Sequence, residues 1–303
     1  MTSVRIVEVG PRDGLQNEKA TVTTETKLEL IDRLAQAGLT EIEATSFVSP
    51  KWVPQMSDHD AVMRDLVRRP GRKYPVLVPN LRGYEAAIAV GAREVAVFAS
   101  ASESFSQKNI NCSIDESFER FAPVFEAAKK GGIPVRGYVS CVVGCPYEGF
   151  VPPERAAEVS ARLHRGGCYE ISLGDTIGVG TPAPVERLLD EVGKHVPLEK
   201  IAGHFHDTYG MGAANVYASF HAGVRIFDSS VGGLGGCPYA KGATGNVATE
   251  DVVYLMQGLG VATGVDLDAL VDTAEWISKK LGRAVQSRVG RALLAKRGDP
   301  PAT

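Results

Sequence analysis

Short apolar runs rich in β-branched residues alternate along this chain with longer stretches whose apolar residues recur every three or four positions. The short runs read as strands at 4–9, 41–45, 75–79, 94–99, 135–141, 169–173, 201–204 and 226–231. The longer ones read as helices at 24–37, 58–67, 81–90, 114–130, 153–165, 182–195, 213–222 and 249–258. In the first of these, Leu28, Ile31, Leu34 and Ala35 mark the buried stripe. Several helices open on a cap or an early proline, as at Asp115 and Thr181-Pro182. Glycines follow many of them, at Gly38, Gly91, Gly131, Gly166 and Gly223. Strand–helix units repeated in this way with short connections predict an α/β fold, a (β/α)8 TIM barrel. An open doubly wound sheet would need an early phosphate-binding glycine turn, and GPRDGLQ is not a GxGxxG. Two further helical stretches, 267–281 and 286–295, follow. Residues 1–260 are therefore expected to form the catalytic barrel, and 261–303 a short C-terminal helical extension of the same domain.

Composition narrows the function. The 303 residues, 44 % of them hydrophobic, suffice for one large core, although two ordinary domains would also fit. A net charge of −3 lacks the basic excess of a nucleic-acid or membrane-surface protein, while a local basic patch could still bind an anionic substrate. No apolar run reaches the ~20 residues that span a bilayer. MTSVRIVEVG runs almost straight into a strand and the C-terminal residues carry no usual address, so a cytoplasmic enzyme is expected. Five cysteines, an odd number, do not suggest a disulfide framework, and Cys141 and Cys145 read as small buried thiols closing an apolar run.

In such a barrel the C-terminal ends of the strands face the active site, and the unusual polar residues fall there. His204 and His206 are two apart, which in a strand puts both imidazoles on one face, about 6–7 Å apart at Cα, within reach of one ion. The pair alone is weak evidence; Asp13 and Asn246 at other strand ends strengthen it. Two imidazoles, a carboxylate and an amide oxygen suit Mg2+ or Mn2+, while zinc would more often recruit a thiolate, and non-haem iron also uses carboxylate and histidine. Beside Asp13, Arg12 can aim a fixed positive charge at developing negative charge. Glu8 and Glu43 are expected to point into the barrel mouth and to support Arg12 or a ligand histidine. Cys237 sits in a glycine-rich loop able to wrap a ligand, a suitable place for proton transfer. Lys19, Lys108 and Lys241 are weaker candidates for contacts to phosphates.

These segments resemble the hydroxymethylglutaryl-CoA lyase family. EVGPRDGLQNEK from Glu8, EATSFVSPKWVPQMSD from Glu43, KNINCSI from Lys108, RGYVSCVVGCPYEG from Arg136, GCYEISLGDTIGVGTP from Gly167, HFHDTYG from His204 and DSSVGGLGGCPYAKGATGN from Asp228 carry the resemblance across the barrel. The resemblance implies Asp13, His204, His206 and Asn246 as metal ligands, Arg12 as the catalytic, substrate-contacting arginine and Cys237 as the active-site loop cysteine. It further implies Glu43 as a catalytic or metal-supporting acid and Asp175 as an active-site acid.

The implied reaction is a metal-assisted retro-Claisen cleavage of 3-hydroxy-3-methylglutaryl-CoA to acetyl-CoA and acetoacetate. Arg12 and the cation would stabilise the enolate, Cys237 would protonate it, and Asp13 or His204 would act as base. Alternatives are a lyase for a related 3-hydroxy-3-alkylglutaryl-CoA, or an acyl-CoA-dependent synthase of the same superfamily. Against the synthase, the usual asparagine after the second histidine is replaced here by Asp207. A non-catalytic metal-binding barrel is the remaining alternative, and Arg12, Glu43 and Cys237 argue against it. Phe205 stands where some relatives have cysteine, and no cysteine follows Cys237 to link subunits as in animal members. The expected partner is a small acyl-CoA, with neither nucleic acid nor membrane, and the family suggests a homodimer or larger homo-oligomer.

Overall fold

The computed structural model describes residues 2–18, 20–236 and 245–298. All eight expected strands form, and they pair in parallel: β1 (Arg5–Glu8), β2 in two segments (Glu41–Ile42 and Thr45–Ser46), β3 (Val76–Leu77), β4 (Val95–Ser100), β5 (Val135–Ser140), β6 (Glu170–Asp175), β7 (Ile201–Phe205) and β8 (Ile226–Ser229). β1 pairs with β8 on one side and with the first half of β2 on the other; the second half of β2 pairs with β3. The sheet therefore closes on itself, and the fold is a TIM barrel. No helix among the described residues is long and apolar enough to cross a membrane.

The helix layer follows the expected order: α1 (Thr24–Gln36), α2 (His59–Asp65), α3 (Leu81–Ala89), α4 (Glu103–Ile110), α5 (Ile114–Gly131), α6 (Pro153–Gly166), α7 (Pro182–Gly193), α8 (Gly212–His221), α9 (Thr249–Gly258), α10 (Leu267–Lys280) and α11 (Arg288–Gly298). α4 was not anticipated. Its eight residues ESFSQKNI lack an apolar stripe, and the helix is set by its ends. The Ser102 hydroxyl accepts the Phe105 N–H at 3.1 Å, and Asn111 closes it with φ of 51°. α5 starts on a reciprocal cap between Ser113 and Glu116. α10 packs on α1 and on the turn after β8, and α11 packs on α9 and α10.

Strand alternation decides which side chains meet inside the barrel. Val7 and Val9 pack with Ala202 and Ile226 in one interior cluster, and Leu77, Ala96 and Tyr138 form another. The large apolar cluster lies between the strands and the helices. In β2, Glu41 pairs with Val7 and Ser46 with Leu77. Both pairs face inward but stand an odd number of residues apart, so the alternation slips by one at Ala44–Thr45, where two consecutive side chains face the outer layer, as in a bulge.

Beneath the mouth the interior is ionic. Arg136 is fully buried and donates to Glu170 at 2.7 Å, to Asp228 at 2.6 Å and to the Tyr138 hydroxyl at 2.8 Å. Arg5 pairs with both Glu41 and Glu170. Each of these buried charges thus meets an opposite one, without which its desolvation would be prohibitive.

Candidate active site

Just after β1 the chain turns through a short π-helix, Gly10–Gly14. The Val9 carbonyl accepts three successive amides, Arg12 N–H at 3.2 Å, Asp13 N–H at 2.8 Å and Gly14 N–H at 3.1 Å. This tight wrap puts two neighbouring side chains over the barrel mouth. Arg12, only 6 % exposed, donates from Nε to Glu43 at 2.6 Å and from Nη1 to Asp13 at 2.7 Å, with Tyr138 beneath its guanidinium at 5.3 Å. Glu43, interior on β2, is therefore the partner of Arg12, as expected. Burial pushes its carboxyl up and Arg12 pulls it back, with a net rise.

His204 on β7 and His206 just beyond it share the interior face, their ring centroids 5.5 Å apart, while Phe205 packs outward into the core. Asn246 reaches them from the segment that returns after β8. Its residue pairs with His206 across an isolated antiparallel bridge, flanked by hydrogen bonds from Asp207 N–H to the Gly245 carbonyl and from Val247 N–H to the Phe205 carbonyl. The Asn246 amide donates to Asp13 Oδ2 at 2.8 Å. One ligand atom each from Asp13, His204 and His206 lies within 4.8 Å of the others.

The electrostatics suit a cation. Burial would raise the Asp13 carboxyl, but Arg12 first, then His204, His206 and Asn246, hold it down at about 2, so it is a carboxylate at neutral pH. Burial, reinforced by His204, lowers His206 to about 4 and keeps it neutral, the ligating form. Asn246 Oδ1 and His206 Nδ1 are buried without a protein partner, a cost that a bound cation would relieve for an oxygen ligand such as Asn246. The residues present fit a divalent ion.

Asp228 is the functional residue that sequence reasoning missed. It pairs in register with His204 on the neighbouring strand, and its Oδ2 lies 3.0 Å from His204 Nδ1. That contact fixes the ring and leaves Nε2 facing Asp13, 3.9 Å away. Asp228 is held in turn by Arg136 and by the Ser172 hydroxyl at 2.7 Å. Burial opposes its charge, yet Arg136 and His204 hold the carboxyl well below the usual range. The available signal was an acid at an inward position of β8 opposite His204. Asp228→Asn is expected to weaken cation affinity about 10–100-fold, measured by calorimetric titration with Mn2+; unchanged affinity would remove Asp228 from the site.

Two expectations need correction, both for reasons of strand parity. Glu8 faces outward with Ile6, not into the mouth. Its carboxylate accepts from Gly10 N–H at 2.8 Å, Val231 N–H at 3.0 Å and the Thr249 hydroxyl at 2.6 Å, and burial raises it to about 7. It fastens the turn after β1 to the loop after β8, and neither Arg12 nor a histidine is its partner. Asp175 is likewise at an outward position. Its carboxylate folds back onto its own loop, accepting from Gly180 N–H at 2.8 Å and Val179 N–H at 3.2 Å, while Gly174 and Thr176 on either side line the cleft. Burial raises Asp175 to about 6 against these bonds. The geometry makes it an anchor of its own loop beside the cleft.

Arg12, Asp13, His204 and His206 form the floor of a cleft of about 1090 Å3. Tyr138, Phe98 and Leu77 contribute to its lining, as do Lys108, Trp52 and Gly236. Cys237, Lys19 and Lys241 lie outside the described residues. The four described cysteines are buried, and the Cys145 sulfur accepts from the Ser102 hydroxyl at 2.9 Å, as a small core thiol would.

A parallel barrel with a carboxylate–histidine cluster and a buried arginine at its C-terminal rim is that of a metal-assisted TIM-barrel enzyme. The chain belongs to the HMGL-like family, whose model matches residues 3–277. It is 59 % identical over 293 residues to a 3-hydroxy-3-isohexenylglutaryl-CoA/hydroxy-methylglutaryl-CoA lyase of Pseudomonas aeruginosa, covering 97 % of this chain and 98 % of that one. It is 58 % identical over 289 residues to the mitochondrial hydroxymethylglutaryl-CoA lyase of Gallus gallus, covering 95 % of this chain and 97 % of the relative. A crystal structure of the lyase from Pseudomonas aeruginosa superposes with a TM-score of 0.95 at 59 % identity, over 97 % of this chain and 98 % of that one. An HMG-CoA lyase structure in complex with coenzyme A and 3-methylmalate, from Acinetobacter baumannii, matches with a TM-score of 0.92 at 36 % identity, over 99 % of this chain and 97 % of that one. The expectation of a cytoplasmic location is overturned: the chicken relative is named mitochondrial and a mouse relative cytoplasmic, so this barrel does not by itself assign a compartment.

Proposed function

We propose that this chain cleaves 3-hydroxy-3-methylglutaryl-CoA to acetyl-CoA and acetoacetate, with Mg2+ or Mn2+ held by Asp13, His204, His206 and Asn246. The observation that carries the reading is the convergence of those ligands beside the buried Arg12–Glu43 pair. A divalent cation bound there supplies Lewis acidity toward the substrate's oxygens. The protein's own groups do the rest. Glu43 and Asp13 engage Arg12 Nε and Nη1, so the guanidinium stands fixed on the cleft floor before any charge develops. As the C2–C3 bond breaks, the electron pair passes to the thioester as an enolate, which this fixed charge stabilises without reorganisation. Asp13 and His204 are the two bases on the floor for the proton of the tertiary hydroxyl. Cys237 follows directly on Gly236, which lines the cleft and whose carbonyl accepts from Asn17 at 2.9 Å; this supports the thiol as proton donor to the enolate carbon. A homodimer or larger homo-oligomer is part of the proposal, supported by the family resemblance.

A second reading, a longer 3-alkyl substituent, is favoured by the apolar side chains of Leu77 and Phe98 in the cleft lining and by the double name of the Pseudomonas relative. A coupled assay of acetyl-CoA release from 3-hydroxy-3-methylglutaryl-CoA and from esters with longer 3-alkyl groups separates the two. The methyl ester is expected to turn over with the highest kcat/KM; no release from any member would end both readings.

A further inference from the structure

The proposed substrate is a coenzyme A thioester, so one end of it is a nucleotide, and the rim of the cleft presents a side chain suited to that end. Trp52, in the loop between β2 and α2, lines the cleft and is 84 % exposed. Among the described residues it is the one large apolar side chain that is both left exposed and part of the cleft lining. An indole in water forgoes most of the benefit of burial, so its position at a ligand cleft calls for an occupant.

The loop holds Trp52 there. Its N–H and that of Val53 both donate to the Ser49 carbonyl, at 2.9 and 3.1 Å, closing a tight turn. Pro50 and Pro54 stiffen the chain on either side. Next along, Gln55 is buried and ties the loop to the segment after β1, accepting from Val22 N–H at 3.1 Å and donating to the Ala20 carbonyl at 2.9 Å. Buried Lys27 donates to the Gln55 carbonyl and pairs with Asp58 at 2.6 Å. The backbone that carries the indole is therefore fixed at the cleft, which lowers the cost of ordering the loop around a flat ring. The same cleft carries Lys108, an exposed cation, whereas Arg120 is committed to the carbonyls of Ile110 and Asn111.

We infer that Trp52 is the platform on which the adenine of the coenzyme A thioester stacks, with Lys108 available to its phosphates. This rests on the acyl-CoA reading above. It assigns the two ends of the cleft: the acyl group over Arg12, Asp13 and His204, the nucleotide at Trp52.

The sequence holds two tryptophans, and Trp276 sits in α10 against Arg33 and Lys280, off the cleft lining. In Trp276→Phe enzyme the remaining indole emission reports Trp52. Coenzyme A and adenosine 3′,5′-bisphosphate are each expected to quench it saturably, and pantetheine is not. In kinetics, Trp52→Ala is expected to reduce kcat/KM for the coenzyme A ester about tenfold or more, through KM. The same acyl group on pantetheine should lose far less, and Trp52→Phe should recover part of the loss. An unquenched indole in Trp276→Phe enzyme that still turns over the ester overturns the inference and leaves the function standing. Equal losses on both esters also overturn it, making Trp52 a loop-packing residue. Failure of the unsubstituted enzyme to cleave any coenzyme A ester defeats the functional reading, and this inference with it.

Discussion

Arg12→Gln is expected to lower kcat by about 10²–10³ while KM changes little. The guanidinium is buried and fixed by Glu43 and Asp13 before substrate arrives, so its charge acts most strongly on the enolate that forms later. Glutamine keeps hydrogen-bonding capacity and removes the charge. It also leaves Glu43 buried without its cation, which costs about 3–5 kcal/mol in such pairs. With its folded pKa already raised by burial, Glu43 lowers stability once the pH exceeds its unfolded value, and the variant should be least stable toward neutral pH. Arg12→Gln combined with Glu43→Gln should recover that stability and not the turnover. A loss confined to KM would make Arg12 a substrate anchor.

His206→Ala is expected to abolish turnover and weaken Mn2+ binding by more than 100-fold, beyond the effect of Asp228→Asn, because it removes a ligand and not its orienting partner. The fold should survive, since the imidazole sits at the mouth with one nitrogen already lacking a partner. Calorimetric titration with Mn2+ beside thermal unfolding checks both halves. A normal titration curve for the variant would remove His206 from the ligand set.

Much of this site was legible because its residues obey local rules. His204 and His206 share a face through the period-two alternation of a strand, and Arg12 and Asp13 follow a strand end. Where reading went astray, parity was the cause. Glu8 lies one residue from Val7 and Val9, whose apolar side chains claim the interior, so the acid must face the helices. Asp175 pairs in register with Phe205, which packs into the outer core, and so faces outward as well. Glu43 was placed correctly, although the slip in β2 just beyond it is not visible in the amino-acid order. Asp228 and Arg136 join from strands 92 residues apart, and their contact exists only once the barrel closes. α4 was missed because caps and a left-handed asparagine set it, with no apolar stripe to announce it. The barrel itself was legible because eight strand–helix repeats leave few ways to bury so many apolar faces.

The central claim is that Asp13, His204, His206 and Asn246 hold one divalent ion that cleavage requires. The direct measurement is acetyl-CoA release from 3-hydroxy-3-methylglutaryl-CoA by exhaustively chelated protein, followed by titration with Mn2+ or Mg2+. The account predicts no release from the metal-free protein and recovery that saturates near one ion per chain. Full turnover by the metal-free protein would contradict it.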